Sequence, residues 1–412
     1  MTAPVPDPPE LLARLRAQPR AARLLEALSG VGGAHLVGGA VRDVLLGGQA
    51  VDLDVVVEGD AGAAARTAAA RLGGRVREHE RFGTATVEAG DLAFDVARAR
   101  RERYPAPGAL PEVVPAPLEE DLRRRDFTVN ALAVALGPPA PGTLRAAPHG
   151  MEDLDARRLR VLHEASFRDD PTRLLRLVRY VTRLRFTIEA RTEELARAAV
   201  SAEALGTVSG GRIGDELRLL LGEPEPNTAL RLASELGLDR ALHPAFAPDP
   251  EAAERARALL PPDGREDLVI LAAACRGFDR EALTRWLDEL EFPAAGRDVV
   301  VAAALEAGPL GRRLAAANRP SEIAAVASGL APEVVALAAA VVPDAVAAAR
   351  RWLHELRHVR LEIDGGDVLA AGVPEGPDVG RALAAALARK LDGEARGRDA
   401  ELSTALAAIG RQ

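Results

Sequence analysis

The sequence predicts an α+β protein, with a small α/β head near the N-terminus and helices from there to the end. Three observations carry that prediction. Strand-like and helix-like signals alternate from about residue 34 to residue 137. Beyond Gly150 strand signals nearly vanish, and helical periodicity in Ala, Leu, Glu and Arg takes over. Within the head, the glycine pair Gly38-Gly39 precedes two acids one residue apart, Asp52 and Asp54.

The elements follow in order. His35–Val37 reads as a short strand, Val41–Leu46 as the start of a helix, and Val51–Val57 as an acidic strand. Ala61–Arg71 is an Ala-rich helix, and Arg75–Glu78, Thr84–Glu88 and Leu92–Val96 are short strands set off by Gly83 and Gly90. Tyr104–Pro117, rich in proline and glycine, reads as a mobile loop, and regular structure returns from Asp121 to Leu136. Farther on, helix breaks are expected near Gly222–Pro226, Pro244–Pro250, Pro261–Gly264, Pro293–Gly296 and Pro320. The expected division is a lead helix over 1–33, a head over 34–140, a helical neck over 141–222, and a helical body and tail over 223–412.

Composition bounds the function. A chain of 412 residues with 48% hydrophobic and 28% charged residues is expected to be soluble and globular. No apolar run approaches the ~18–20 residues that cross a bilayer, and the N-terminus lacks an apolar signal core. The single cysteine, Cys275, excludes internal disulfides and cysteine-built zinc sites and suits a reducing cytoplasm. A net charge of −8 argues against a general polyanion binder. Lys390 is the only lysine, which reads as a GC-rich coding bias rather than an adaptation to RNA. With aromatics at 3%, nucleic-acid contacts are expected to be to phosphates and helix shape, not to stacked bases.

Three constellations carry chemistry. In the first, strand alternation puts Asp52 and Asp54 on one face while Leu53 points into the core. Two adjacent carboxylates repel unless a cation such as Mg²⁺ lies between them. The glycine pair lets backbone N–H groups approach a phosphate, and Arg42 follows on the first helical turn. A dinucleotide fingerprint starting at Gly30 fails, because its third glycine would fall on His35. In the second, Arg124 to Ala131 (RRDFTVNA) sets Arg124, Arg125, Asp126 and Asn130 around an apolar core. Guanidinium forks suit triphosphate oxygens, and Asp126 suits either a ribose hydroxyl or the locking of an arginine. Asp95 offers a third acid pointing towards the same region.

In the third, Asp170 reads as a helix N-cap with Pro171 at the first helical position. Leu174, Leu175, Leu177 and Val178 form the buried stripe, and Arg173, Arg176 and Arg179 line one side. Cytosine and adenine both present an amino donor beside an unprotonated ring nitrogen; guanine and uracil present the opposite order. Asp170 paired with Arg173 would match the first two and leave polar groups unpaired against the others. Arg176 and Arg179 would reach phosphates or fix that pair.

These three segments, in this order, resemble those of class II tRNA nucleotidyltransferases, the bacterial-type CCA-adding enzymes of the polymerase β superfamily, with bacterial poly(A) polymerases as near relatives. Gly210–Leu217 is similar to the family's next helical motif, and Ile363–Gly393 to a segment near the end of longer members. The resemblance implies that Asp52 and Asp54 hold Mg²⁺, with Asp95 beside them in catalysis. It implies that Gly38, Gly39, Arg42, Arg125, Asp126, Asn130, Asp170, Arg173, Arg176 and Arg179 bind ATP and CTP. The implied partner is the 3′ acceptor end of tRNA, held by body and tail, with neither membrane nor DNA. The implied reaction is template-independent addition of C, A or both, releasing pyrophosphate. Where the family has Glu-Asp before the first arginine of the third segment, this chain has Asp169-Asp170. No histidine-aspartate hydrolase signature follows the body. The segment before RRDFT, shortened in CC-adding relatives, is present here and disfavours CC-only addition. It does not separate CCA addition from A addition. The absence of a basic tail disfavours poly(A) synthesis, and the paired acids disfavour a non-catalytic RNA-binding relative.

Overall fold

The apolar run Ala34–Val37 forms strand β1, which is buried along its whole length and pairs on both sides. This is the centre from which the first half of the chain is built. The computed structural model describes residues 6–79 and 83–410. The lead over 1–33 holds two helices, α1 (Pro8–Arg16) and α2 (Pro19–Leu28), because Pro19 starts a new first turn. After β1 come α3 (Gly39–Leu45), β2 (Asp54–Val57) and α4 (Ala61–Leu72). They are followed by β3 (Arg75–His79), β4 (Thr84–Ala89), β5 (Leu92–Arg98), β6 (Arg100–Arg103) and β7 (Glu112–Pro115). Then come α5 (Leu118–Arg123), β8 (Leu132–Ala135), β9 (Leu144–Ala146) and α6 (Gly150–Asp155).

One seven-stranded sheet runs in the order β3-β4-β5-β2-β1-β8-β9. Among the described residues of this sheet, only β2 and β5 pair in parallel. The alanines Ala61, Ala64, Ala65, Ala68 and Ala69 make one buried face of α4, small enough for the helix to lie close on the sheet. Val37, Val56, Leu118, Leu122, Ala131 and Ala133 share one core cluster, which fixes α5 against the sheet.

Three expectations require correction. The acidic strand begins at Asp54, not Val51, and Asp52 sits in a bend ahead of it. The backbone just upstream is satisfied by the lead helices instead of a sheet neighbour. Gln18 bonds Gly48 O at 3.0 Å and Ala50 N–H at 2.7 Å, and Arg20 bonds Val51 O at 3.1 Å. The segment read as a loop over Tyr104–Pro117 contains β7, which pairs antiparallel with β6 as a two-stranded ribbon. Finally, α7 (Ser166–Asp169) precedes α8 (Arg173–Leu184), whose N-cap is Thr172 and not Asp170. Asp170 instead accepts from the Thr172 N–H at 3.2 Å and hydroxyl at 2.6 Å, which turns the chain into the helix.

The chain divides into two compact units, residues 1–209 and 210–412. In the second, the expected breaks fall between helices, with Pro226, Pro250 and Pro320 each opening a new one. Its core is the long helix Ala294–Ala316 against Pro332–Val341. Gly311 makes that approach possible, since a Cβ there would lie 2.6 Å from the Ala338 carbonyl. The lone lysine, Lys390, is committed to structure: its Nζ lies 2.6 Å from the buried Glu401 carboxylate. Among the described residues no single helix is long and apolar enough to cross a membrane.

Candidate functional site

Sheet register brings the first constellation to one edge of the first unit. Val37, the last residue of β1, pairs with Asp54, the first of β2, so the glycine turn leaves the sheet beside this acid. On its other side Asp54 is in register with Asp95 of parallel β5, and residues in register share a face. Asp52 and Asp54 are both exposed while Leu53 is buried, although Asp52 lies in the bend ahead of the strand. Crowding around its carboxyl raises the pKa of Asp54; the Arg125 guanidinium opposes that rise, and the like charges of Asp95 and Asp52 add to it. Asp95 accepts from the Thr86 hydroxyl at 2.6 Å. Among the described residues no three carboxylate, imidazole or thiolate groups converge closely enough to hold a metal ion. The acids at this edge therefore offer two ligands at most in this arrangement, and a bound ion needs oxygens from a substrate or water as well.

Gly38 has a φ of 75°, a conformation that favours glycine, and a Cβ there would stand 3.1 Å from Arg125 Nη1. Its own N–H donates to Leu132 O at 3.0 Å, so the sheet consumes the amide expected to meet a phosphate. Gly39 opens α3, where a Cβ would lie 3.3 Å from Arg42 Nη2. The glycine pair thus makes room for two arginines.

The second constellation is held by carboxylates that the sequence reading did not single out. Asp121 is fully buried, and it accepts from Arg124 Nε at 2.9 Å and Arg125 Nη2 at 3.0 Å. Glu102 on β6 accepts from Arg124 Nη1 at 2.7 Å and from the Tyr104 hydroxyl at 3.0 Å. Asp126, of the two roles expected for it, locks an arginine: Arg176 Nη2 lies 2.6 Å from its Oδ2. Burial alone would push the Asp126 carboxyl up, but Arg176 and the Asn130 amide outweigh that and hold it at about 2. Asn130 donates to Asp126 Oδ1 at 3.0 Å and accepts from Arg42 Nη1 at 2.5 Å. Arg42 in turn bonds Asp43 at 2.8 Å. One buried chain of bonds therefore runs Arg42–Asn130–Asp126–Arg176 and joins all three constellations.

On α8 the buried stripe is as expected, with Leu174, Leu175, Leu177 and Val178 each at most 1% exposed. The arginine side is not a solvated face, since Arg173 and Arg179 are 4% and 6% exposed. Arg173 donates to Ser166 Oγ and to Arg124 O, both at 2.7 Å, and its Nε stands 4.0 Å from Asp170 Oδ2. Asp170 and Arg173 are adjacent, each oriented by other groups. A cleft of about 510 Å³ is lined by Thr128, Arg160, His163, Glu189 and Arg191. Its Arg160 and Arg191 are already paired with Asp153 and Glu164.

Signals for the missed residues were present. Asp121 precedes Arg124 and Arg125 by three and four positions, helical neighbours of an acid. The chain has only 2 tyrosines, Tyr104 and Tyr180, and both lie here.

Comparison with known proteins identifies relatives of this chain. Residues 34–160 match the Poly A polymerase head domain family, and residues 185–249 match the family described as the probable RNA and SrmB-binding site of polymerase A. An A-adding tRNA nucleotidyltransferase of Geobacter sulfurreducens is 47% identical over 51% of this chain, which spans only 24% of that relative's length. A CC-adding tRNA nucleotidyltransferase of Deinococcus radiodurans is 34% identical over 98% of both chains. The solved Thermotoga maritima CCA-adding enzyme complexed with tRNA superposes with a TM-score of 0.81 at 29% identity, covering 98% of this chain and 99% of that one. The chain belongs to the family of class II, CCA-adding tRNA nucleotidyltransferases.

Proposed function

We propose that this chain adds C, A or both to the 3′ end of tRNA from CTP and ATP without a template, releasing pyrophosphate. The observation that carries the reading is the meeting, within one unit, of an edge of mutually repelling carboxylates with a buried arginine network. Asp52 and Asp54 fit Mg²⁺: their donors are hard oxygens, and the like charges of Asp95 and Asp52 act on Asp54 beside the opposing Arg125. When bound there, Mg²⁺ would activate the attacking 3′-oxygen and neutralise charge on the departing pyrophosphate.

The residues divide the remaining work. Arg125, held by Asp121 beside Gly38 and Asp54, meets the triphosphate where it must approach the acids. Asp170 and Arg173 face the base edge, and their anchors at Thr172, Ser166 and Arg124 keep that edge in one orientation. Arg42, Asn130, Asp126, Arg176 and Arg179 position the site around the nucleotide. Asp95 shapes the charge on Asp54. The head over 34–140 carries the transfer, the neck over 141–222 selects the nucleotide, and the body and tail over 223–412 hold tRNA. Such a role places the chain in the cytoplasm.

A second reading, an A-adding specialist that completes CC-ended tRNA, is favoured by the 47% identity with an A-adding protein over half of this chain. One experiment separates them. Three tRNA transcripts, lacking CCA, ending in C and ending in CC, are each incubated with CTP, ATP, or both. Full CCA addition extends all three, and an A-adding specialist extends only the third. No extension of any transcript with any nucleotide would overturn the proposal.

A further inference from the structure

Three guanidinium groups of the network gather around one side chain to which no role has yet been given. The Cζ atoms of Arg42, Arg176 and Arg179 lie 5.5, 5.5 and 4.9 Å from the centre of the Tyr180 ring. Arg176 and Arg179 share α8 with the tyrosine, but Arg42 comes from α3 and reaches the ring across the fold. The ring itself is fixed: Phe127 meets it edge-on with centroids 6.0 Å apart, and its hydroxyl lies 3.5 Å from Arg176 Nη2.

Three buried or half-buried cations at such spacing repel one another. Carboxylates neutralise part of that charge, Asp43 for Arg42 and Asp126 for Arg176, but each does so by occupying N–H donors. An aromatic face works differently. Its negative quadrupole attracts a cation without accepting a hydrogen bond in the ring plane, so it lowers the repulsion while leaving the donors their directions. We infer that Tyr180 is a positioning residue for nucleotide binding, whose ring holds the arginines of α3 and α8 together, aimed at an incoming nucleoside triphosphate. This rests on reading the cleft as the nucleotide site. It goes beyond that reading by assigning the cohesion of the arginine cluster to the π-face of one tyrosine.

The inference requires the effect to follow ring electronics and not ring volume. The test keeps the shape and drains the face. Tyr180→Phe in the full chain sets the reference, and phenylalanines carrying one, two and three ring fluorines are then placed at the same position. CTP and ATP affinities are measured by calorimetry. Loss of a desolvated cation–π contact corresponds to roughly a tenfold change in affinity. The expected result is a stepwise fall in affinity with each fluorine, on the order of tenfold across the series, for both nucleotides alike. Because fluorine barely alters volume, the melting temperature serves as the control for folding and is measured for every variant. Affinity indifferent to fluorination in folded variants overturns the inference. So does a fall confined to the Tyr180→Phe step, which would assign the role to the hydroxyl on Arg176. If the unmodified chain binds neither CTP nor ATP, the nucleotide-site reading itself fails, an outcome the fluorine series cannot mimic.

Discussion

The acidic edge and the arginine network lie in the same unit yet treat charge in opposite ways. At the edge, the pKa of Asp54 is raised, first by desolvation of its carboxyl and then by the like charges of Asp95 and Asp52, while Arg125 opposes the rise. In the network, Asp126 is more deeply buried, yet Arg176 and Asn130 hold it at about 2. Desolvation of the carboxyl pushes both in the same direction, so the difference lies in their partners. A carboxylate held far down has its cation already. A cluster of like charges is where, on the proposed function, a cation from outside would be stabilising. On the proposed function, the comparison separates residues that would act on a substrate from residues that hold others in place.

The largest expected effect follows from the edge. Asp54→Ala is expected to lower nucleotide incorporation by on the order of a thousandfold, as losing the groups that stabilise transition-state charge does elsewhere. Binding of tRNA, which depends on phosphate contacts, is expected to change by less than about threefold. Labelled-nucleotide incorporation and filter binding on the same preparation check both. Survival of activity would erase the distinction between edge and network.

The network is expected to answer with stability. Asp126→Asn leaves Arg176 without its buried counter-charge, a change that costs about 3 kcal/mol in comparable pairs, and urea denaturation at neutral pH measures it. The pH dependence has a definite sign. The folded pKa of about 2 lies below the roughly 3.9 of an unfolded aspartate. The contribution is therefore fully present above pH ~4 and is lost as pH falls towards 2. Between those limits the wild type is expected to lose stability more steeply than Asp126→Asn. Parallel curves would show that the Asp126–Arg176 bond carries no net stability.

The same contrast explains what could be read from the sequence. Local patterns were legible: the alanine face of α4, the strands β3, β4 and β5, the proline breaks of the second unit, and the leucine stripe of α8 all follow from spacing along the chain. The start of β2 was not, because Val51 has strand propensity but its backbone is claimed by Arg20, a residue some thirty positions earlier. Nor was the ribbon, since the prolines that suggested a loop flank β7 and sit at its edge. At the site, the motifs named the charged residues without their mates. Periodicity shows which face Arg176 occupies, but not that Asp126, fifty positions away, waits there. Glu102 was overlooked for the same reason, since its Arg124 partner lies twenty-two positions on, and Asp121 because a short acidic run resembles solvated surface until the fold buries one member.

A smaller effect is expected at the proposed base-reading pair. Arg173→Ala removes the guanidinium proposed to face the base edge together with its anchors at Ser166 and Arg124. Discrimination of CTP and ATP against UTP and GTP is expected to drop by roughly ten- to a hundredfold, the range that one or two unpaired polar groups supply. Total nucleotide turnover is expected to fall less than discrimination does. Competition assays with mixed nucleotides measure the ratio directly, and unchanged fidelity in that variant would remove base reading from Arg173.

The smallest effect tests whether the edge ends at two acids. Asp95 is in register with Asp54 and raises its pKa, yet no group of three ligands converges there among the described residues. Asp95 is also engaged by the Thr86 hydroxyl, which fixes one of its oxygens. A neighbour of that kind orients a ligand and tunes its charge without binding the ion, and its loss costs about tenfold in metal requirement. Asp95→Asn is therefore expected to raise the half-saturating Mg²⁺ concentration by about tenfold and to leave activity at saturating Mg²⁺ within a few-fold of wild type. Titrating Mg²⁺ against incorporation rate separates the two cases. A loss that saturating Mg²⁺ does not restore, matching Asp54→Ala in size, would make Asp95 a third ligand and require the two strands to draw their carboxylates closer once substrate is bound.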